Sequence, residues 1–209
     1  MKKTAFQLDV STRRRLSVAT AILACLLLGG AVMAGCGSDE TGSPGPDYEK
    51  MLAGAPPQLA ELHAQANQLI DGGLSAFDER IKGLDGFPVV VNVWASWCVP
   101  CRAEFPHFQD AAAKLGKKVA FLGVDSDDDA DAAATFLESN PVPYPIYSDP
   151  DKEIAARLNA PKAIPATAFI DEQGELVYTK LGPYRDSAEL EADIERYSKL
   201  DGENQPAGS

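Results

Sequence analysis

A chain of 209 residues has room for one domain of ordinary size plus appendages. Its 31 Asp+Glu against 19 Lys+Arg leave a formal charge of −12, a surface that repels nucleic acid and anionic lipid head groups and argues against both as partners. The only histidines are His63 and His107, without paired spacing, so neither a structural zinc site nor a bound cofactor is expected.

The N-terminus reads as an address rather than a fold. Arg13-Arg14-Arg15 precedes a charge-free stretch from Leu16 to Gly35, the layout of an export signal over residues 1–35. Val32-Met33-Ala34-Gly35-Cys36 looks like a bacterial lipobox, with Cys36 the lipid acceptor, although Met33 departs from the usual branched residue. An uncleaved apolar anchor is the alternative, and both put the rest of the chain outside the membrane. The triple arginine alone does not establish twin-arginine export. Cys25 sits within the apolar run as a small hydrophobe. Residues 36–58 read as the lipidated cysteine and a Gly/Pro/Ser-rich tether; ~20 such residues span a mean distance of about 25 Å. Without the leader the chain holds 14 basic and 30 acidic residues, and its only cysteines besides Cys36 are Cys98 and Cys101.

Beyond the tether, Leu59, Leu62, Ala66, Leu69 and Ile70 have helical spacing, a lead-in over residues 59–73 that Gly72-Gly73 ends. Ser75 can cap a short helix carrying Phe77 and Ile81. Phe87 to Trp94 is a buried strand, followed by a helix from Val99 to about Gly116. Val119 to Val124 is a second buried strand, and Ala130 to Ser139 a helix. The acidic run from Asp125 to Asp131 lacks the Gly and Glu of a calcium loop and reads as strand-end and first-turn acids. Tyr144 to Tyr147 is extended, and a short helix follows from about Lys152 to Leu158. Thr167–Ile170 and Glu175–Lys180 flank a turn as a hairpin, and Ser187 caps a last helix before a polar, disordered-looking tail at 201–209. These units make an α/β sandwich around a mixed sheet.

Trp94-Ala95-Ser96-Trp97-Cys98-Val99-Pro100-Cys101 places two cysteines at a strand-to-helix turn. The orphan N–H groups and dipole of the helix favour a thiolate on Cys98, and a thiolate beside a second thiol makes and breaks disulfides. A permanent structural disulfide is the competing reading, but a two-residue loop crosslinks almost nothing.

The stretch from Val91 to Pro106, the segment Ala163-Ile164-Pro165-Ala166-Thr167-Ala168-Phe169-Ile170-Asp171 and the strand between them resemble the thioredoxin superfamily, most closely its TlpA/ResA/CcmG-like membrane-tethered branch. The resemblance covers about Leu74 to Leu200 and implies a thioredoxin-like three-layer sandwich, with the domain at 74–200. By resemblance Cys98 is the attacking thiolate, Cys101 resolves the mixed disulfide, and the two form a redox-active disulfide. Pro165 is expected in cis, and Trp97, Ile164 and Pro165 are expected to bind substrate, the strand edge at Ile164 by β-augmentation. Glu104, one turn past Cys101, tunes the cysteines and moves protons in that branch; the plain alternative is a first-turn glutamate. Pro106 lies inside the helix, as in thioredoxins. Asn92 stands where cytoplasmic thioredoxins carry a buried aspartate, and an amide cannot act as a base, which shifts weight to Glu104. The branch's N-terminal hairpin is not evident.

The expected activity is a thiol–disulfide oxidoreductase tethered on the extracytoplasmic face of the cell membrane and reducing protein disulfides. Val99 and Pro100, with no histidine between the cysteines, stabilise the thiolate weakly, which favours a reductant. Expected partners are disulfide-bearing exported proteins, apocytochrome c among the candidates, and a membrane electron donor. A redoxin-type peroxidase is the first alternative, against which stands the lack of a Pro-x-x-x-Thr/Ser-x-x-Cys setting before Cys98; a non-enzymatic binding lipoprotein is the second.

Overall fold

The computed structural model describes residues 47–199. The leader, Cys25, Cys36, the first part of the tether and the tail after residue 199 lie outside the described residues. In chain order the elements are α1 (Tyr48–Leu52), α2 (Pro57–His63), β1 (Leu69–Ile70), α3 (Gly73–Gly83), β2 (Val89–Trp94), α4 (Val99–Leu115) and β3 (Ala120–Ser126). They continue as α5 (Ala130–Ser139), β4 (Ile146–Asp149), α6 (Glu153–Arg157), β5 (Ala166–Ile170), β6 (Leu176–Leu181) and α7 (Ser187–Ser198).

The strands form one mixed sheet in the order β1-β4-β3-β2-β5-β6. β1, β4, β3 and β2 pair in parallel in that order, and β5 and β6 add on antiparallel. β2 is buried at all six positions because it lies inside the sheet with a layer on each face. Strand alternation sends Val90 and Trp94 to one face, where Phe105 and Phe108 of α4, Leu137 of α5 and Leu190 of α7 cover them. Val89, Val91 and Val93 face the other side, against Leu59 and Leu62 of α2, Phe77 of α3 and Ile154 of α6. This is the expected α/β three-layer sandwich. On the α4 side Trp94 packs edge-on to Phe105 at 4.8 Å between ring centroids, seating α4 on the sheet beneath its own N-terminus.

Four local readings differ from the sequence pattern. The helical spacing of 59–70 breaks after His63, and Leu69–Ile70 pair with Ile146–Tyr147 as an edge strand. Asn67 makes the break: it has a left-handed φ of 59°, its backbone N–H donates to the Tyr144 carbonyl, and its side-chain oxygen accepts the Val142 N–H. Within the stretch read as tether, residues 48–52 form α1, since Leu52 is apolar enough to be buried, close to Gly116 at the end of α4. Ser75 lies inside α3, which starts instead from Gly72 at φ 117°. The last helix is capped by Asp186, which accepts the Glu189 N–H at 2.9 Å, rather than by Ser187.

Candidate active site

At the end of β2 the chain turns through Ala95–Trp97, the Cys98 N–H closing onto the Ala95 carbonyl at 3.1 Å. Cys98 thereby becomes the N-cap of α4, with extended backbone, and its sulfur accepts the Cys101 N–H at 3.2 Å. A sulfur in that position meets the helix dipole, where negative charge is favoured. Cys98 and Cys101 are joined in a disulfide with Cα atoms 5.3 Å apart. In this oxidised form both are buried: Cys98 keeps 3% of its surface and Cys101 none. Beside them Trp97, Val99, Pro100 and Arg102 are exposed.

The Ile164–Pro165 bond is cis. Pro165 precedes Ala166, which pairs with Val93, so the cis bond lies at the same end of the sheet as Trp94 and the cysteine turn. Ile164 is half-buried and Pro165 buried. Trp97 and Ile164 line one cleft of about 140 Å³, together with Asp127, Lys152 and Lys162. The Trp97 indole N–H donates to the Asp127 carbonyl at 2.9 Å, fixing the ring at the rim.

Glu104 is 1% exposed, one turn beyond Cys101 on α4. Burial pushes its carboxyl up to about 7, partly offset by the Tyr184 backbone N–H and the Lys180 charge. Tyr184 N–H donates to Glu104 Oε2 at 2.9 Å, and Lys180 Nζ lies 4.8 Å from the centre of the Tyr184 ring. A carboxyl poised near neutrality can take a proton and return it. Asn92 is buried at the centre of β2, opposite Gly123 and Thr167. Among the described residues no group of three or more His, Cys, Asp and Glu side chains could hold a metal ion.

Comparison with known proteins adds a name to this arrangement. The family model described as Redoxin matches residues 42–194. The chain belongs to the Redoxin family. Within it, the chain is similar to the thiol:disulfide interchange protein DsbE of Yersinia pestis, 33% identical over 128 residues that cover 60% of this chain and 65% of the relative. It is also similar to the thiol-disulfide oxidoreductase ResA of Bacillus subtilis, 26% identical over 182 residues, or 84% of this chain and 89% of the relative. The matches to several other curated relatives span only about half to three fifths of those relatives' length. Among solved structures, a putative DsbE from Chlorobium tepidum superposes with a TM-score of 0.51 at 29% identity, covering 56% of this chain and 84% of that one. The resemblance read from the sequence and the thioredoxin-like fold are both borne out.

The structure places Cys98, Cys101 and Glu104 on the first turns of α4 and Trp97 and Ile164 in one cleft beside Pro165, and groups distant in the chain hold them. The Tyr184 N–H and the charge of Lys180 act on Glu104 from about 80 residues away, and nothing local in either marks them. Asp128, read as an ordinary acid before a helix, accepts from both the backbone N–H and the hydroxyl of Ser96. Its signal was the density of acids in the run from Asp125 to Asp131.

Proposed function

We propose that this Redoxin-family chain is an extracytoplasmic, membrane-tethered thiol–disulfide oxidoreductase that reduces the disulfides of exported proteins. The observation that carries the reading is the Cys98 sulfur at the N-cap of α4, bonded to Cys101 and accepting its N–H, with the buried Glu104 one turn further on. In the reduced protein the Cys98 thiolate bonds to one substrate sulfur, breaking the substrate disulfide and expelling its other sulfur as a thiolate. Cys101 passes its proton to Glu104, and its thiolate then attacks the Cys98 sulfur. The mixed disulfide breaks, the second substrate thiolate leaves, and two electrons have moved from the cysteine pair to the substrate. A membrane dithiol donor must return them. The cleft between Trp97 and Ile164 is where the substrate segment would lie, paired along the strand edge beside Pro165.

Reduction rather than oxidation is supported by the Val99-Pro100 spacer, which offers the Cys98 thiolate no cationic partner. The Arg-rich leader and the Ala34-Gly35-Cys36 sequence support a lipid tether at Cys36, and apocytochrome c is a candidate substrate among exported proteins. Among the described residues no helix is long and apolar enough to cross a membrane. Insulin-disulfide reduction and hydrogen peroxide consumption, both driven by dithiothreitol, separate this reading from a peroxidase. The full-length chain is expected to reduce insulin and leave peroxide near the uncatalysed rate. Rapid peroxide consumption without insulin reduction would overturn the reading.

A further inference from the structure

The turn that carries Trp97 and Cys98 is tied down from outside its own segment. Asp128 Oδ2 accepts the Ser96 N–H, and its Oδ1 accepts the Ser96 hydroxyl at 3.0 Å. The next residue along, Trp97, donates its indole N–H to the carbonyl of Asp127. Two successive residues of the active-site turn are therefore fastened to two successive residues of the connection between β3 and α5. Asp127 is itself held, at a left-handed φ of 60° and with its carboxylate 2.6 Å from Lys152 Nζ.

Helix capping does not account for Asp128. Asp129 caps α5, accepting the Ala132 N–H at 3.1 Å, while Asp128 accepts the Asp129 N–H at 2.8 Å and the two donors of Ser96. Behind it Asp125 is 2% exposed and lies opposite Trp94 in the sheet. Burial and then Asp128, with the charges of Asp149 and Asp129, push the Asp125 carboxyl up to about 8. Asp125 thus favours its protonated form at neutral pH. Asp128 stays below the ordinary carboxylate range, because the two donors on Ser96 and the Asp129 N–H outweigh its own partial burial. The charge sits on the carboxylate that faces the turn, and charge-assisted bonds are the stronger ones.

We propose that Asp128 is a positioning residue of this site: by accepting both donors of Ser96 it holds the turn bearing Trp97 and Cys98 in the shape that receives an extended protein disulfide. The inference rests on the reading of the chain as a protein-disulfide oxidoreductase. A small disulfide needs only the sulfur of Cys98, whereas a protein segment needs the whole rim, so the two substrates respond differently to loosening of the turn.

The test compares the full-length chain with Asp128→Asn and Ser96→Ala, using insulin and a small aromatic disulfide as substrates. Asp128→Asn should raise KM for insulin about tenfold, with kcat and the small-disulfide rate within about twofold of wild type. Ser96→Ala keeps the backbone bond and should raise KM by a smaller factor, about threefold. An unchanged KM, or equal slowing toward both disulfides, would overturn the proposal. Failure of the wild type to reduce insulin would instead overturn the functional reading, and shows before any variant is compared. Deuterium uptake over residues 95–98 then still decides the brace. It should be about tenfold faster in Asp128→Asn, and equal uptake would refute it.

Discussion

The backbone N–H of Tyr184 donates to Glu104 Oε2 at 2.9 Å, tying the segment before α7 to the α4 turn that follows Cys101. The bond favours the ionised carboxylate, yet burial outweighs it, and the carboxyl rests at about 7. Protonated below that value and ionised above it, Glu104 is set to accept the Cys101 proton only as pH rises through neutrality.

Glu104→Gln therefore has a pH signature. Reduction of insulin by the wild type should rise with pH through about 7, and Glu104→Gln should be slower, by about 10²-fold, with that limb missing. Stability moves the other way. Because the folded value lies above the ordinary 4.5, the stabilisation from Glu104 is complete below about 4.5 and is lost as pH rises through 7. Denaturant titrations should show the wild type losing on the order of 3 kcal/mol over that window relative to Glu104→Gln. Parallel curves for the two proteins would return Glu104 to a plain place in the first turns of the helix.

Equilibration with glutathione reads the direction of electron flow. The potential of the Cys98–Cys101 couple should lie nearer the ~−270 mV of thioredoxin than the ~−120 mV of DsbA, since no cation in the spacer stabilises the thiolate. A value above the ~−200 mV end of the glutaredoxin range would make the chain an oxidant.

Anchoring is tested by fractionation. Wild-type protein should partition with membranes, and Cys36→Ala should be released if lipid is its sole anchor. Retention of Cys36→Ala in the membrane with the leader uncleaved would favour a spanning segment instead.

Much of the architecture was legible because its signals are local. β2 is an unbroken apolar run and α4 keeps its helical period from Phe105 to Leu115, so the turn between them, and the cysteines on it, could be placed from residues alone. Leu69 and Ile70 misled, because their helical spacing is real but pairing with Ile146 and Tyr147 outweighs it. The cis bond before Pro165 came only from family resemblance; nothing in Ile164-Pro165 itself distinguishes cis from trans. In the disulfide form Cys98 is nearly as buried as Cys101, because its sulfur is turned into α4 toward its partner. The partners of Glu104 and Ser96 were invisible for a different reason. Tyr184 acts through its backbone, which leaves no pattern in the sequence, and Asp128 acts through a contact 32 residues away that the acidic run around it does not by itself reveal.

Trapping of the mixed disulfide tests the central claim most directly. Cys98 caps the helix and meets its dipole, while Cys101 lies one turn in with no accessible surface. With Cys101→Ser the attack by Cys98 cannot be resolved, so a covalent adduct with a disulfide-bearing substrate should accumulate on non-reducing gels and disappear with dithiothreitol. Cys98→Ser should trap none. Adducts formed through Cys101 in the Cys98→Ser variant, or no adduct in either, would contradict the account.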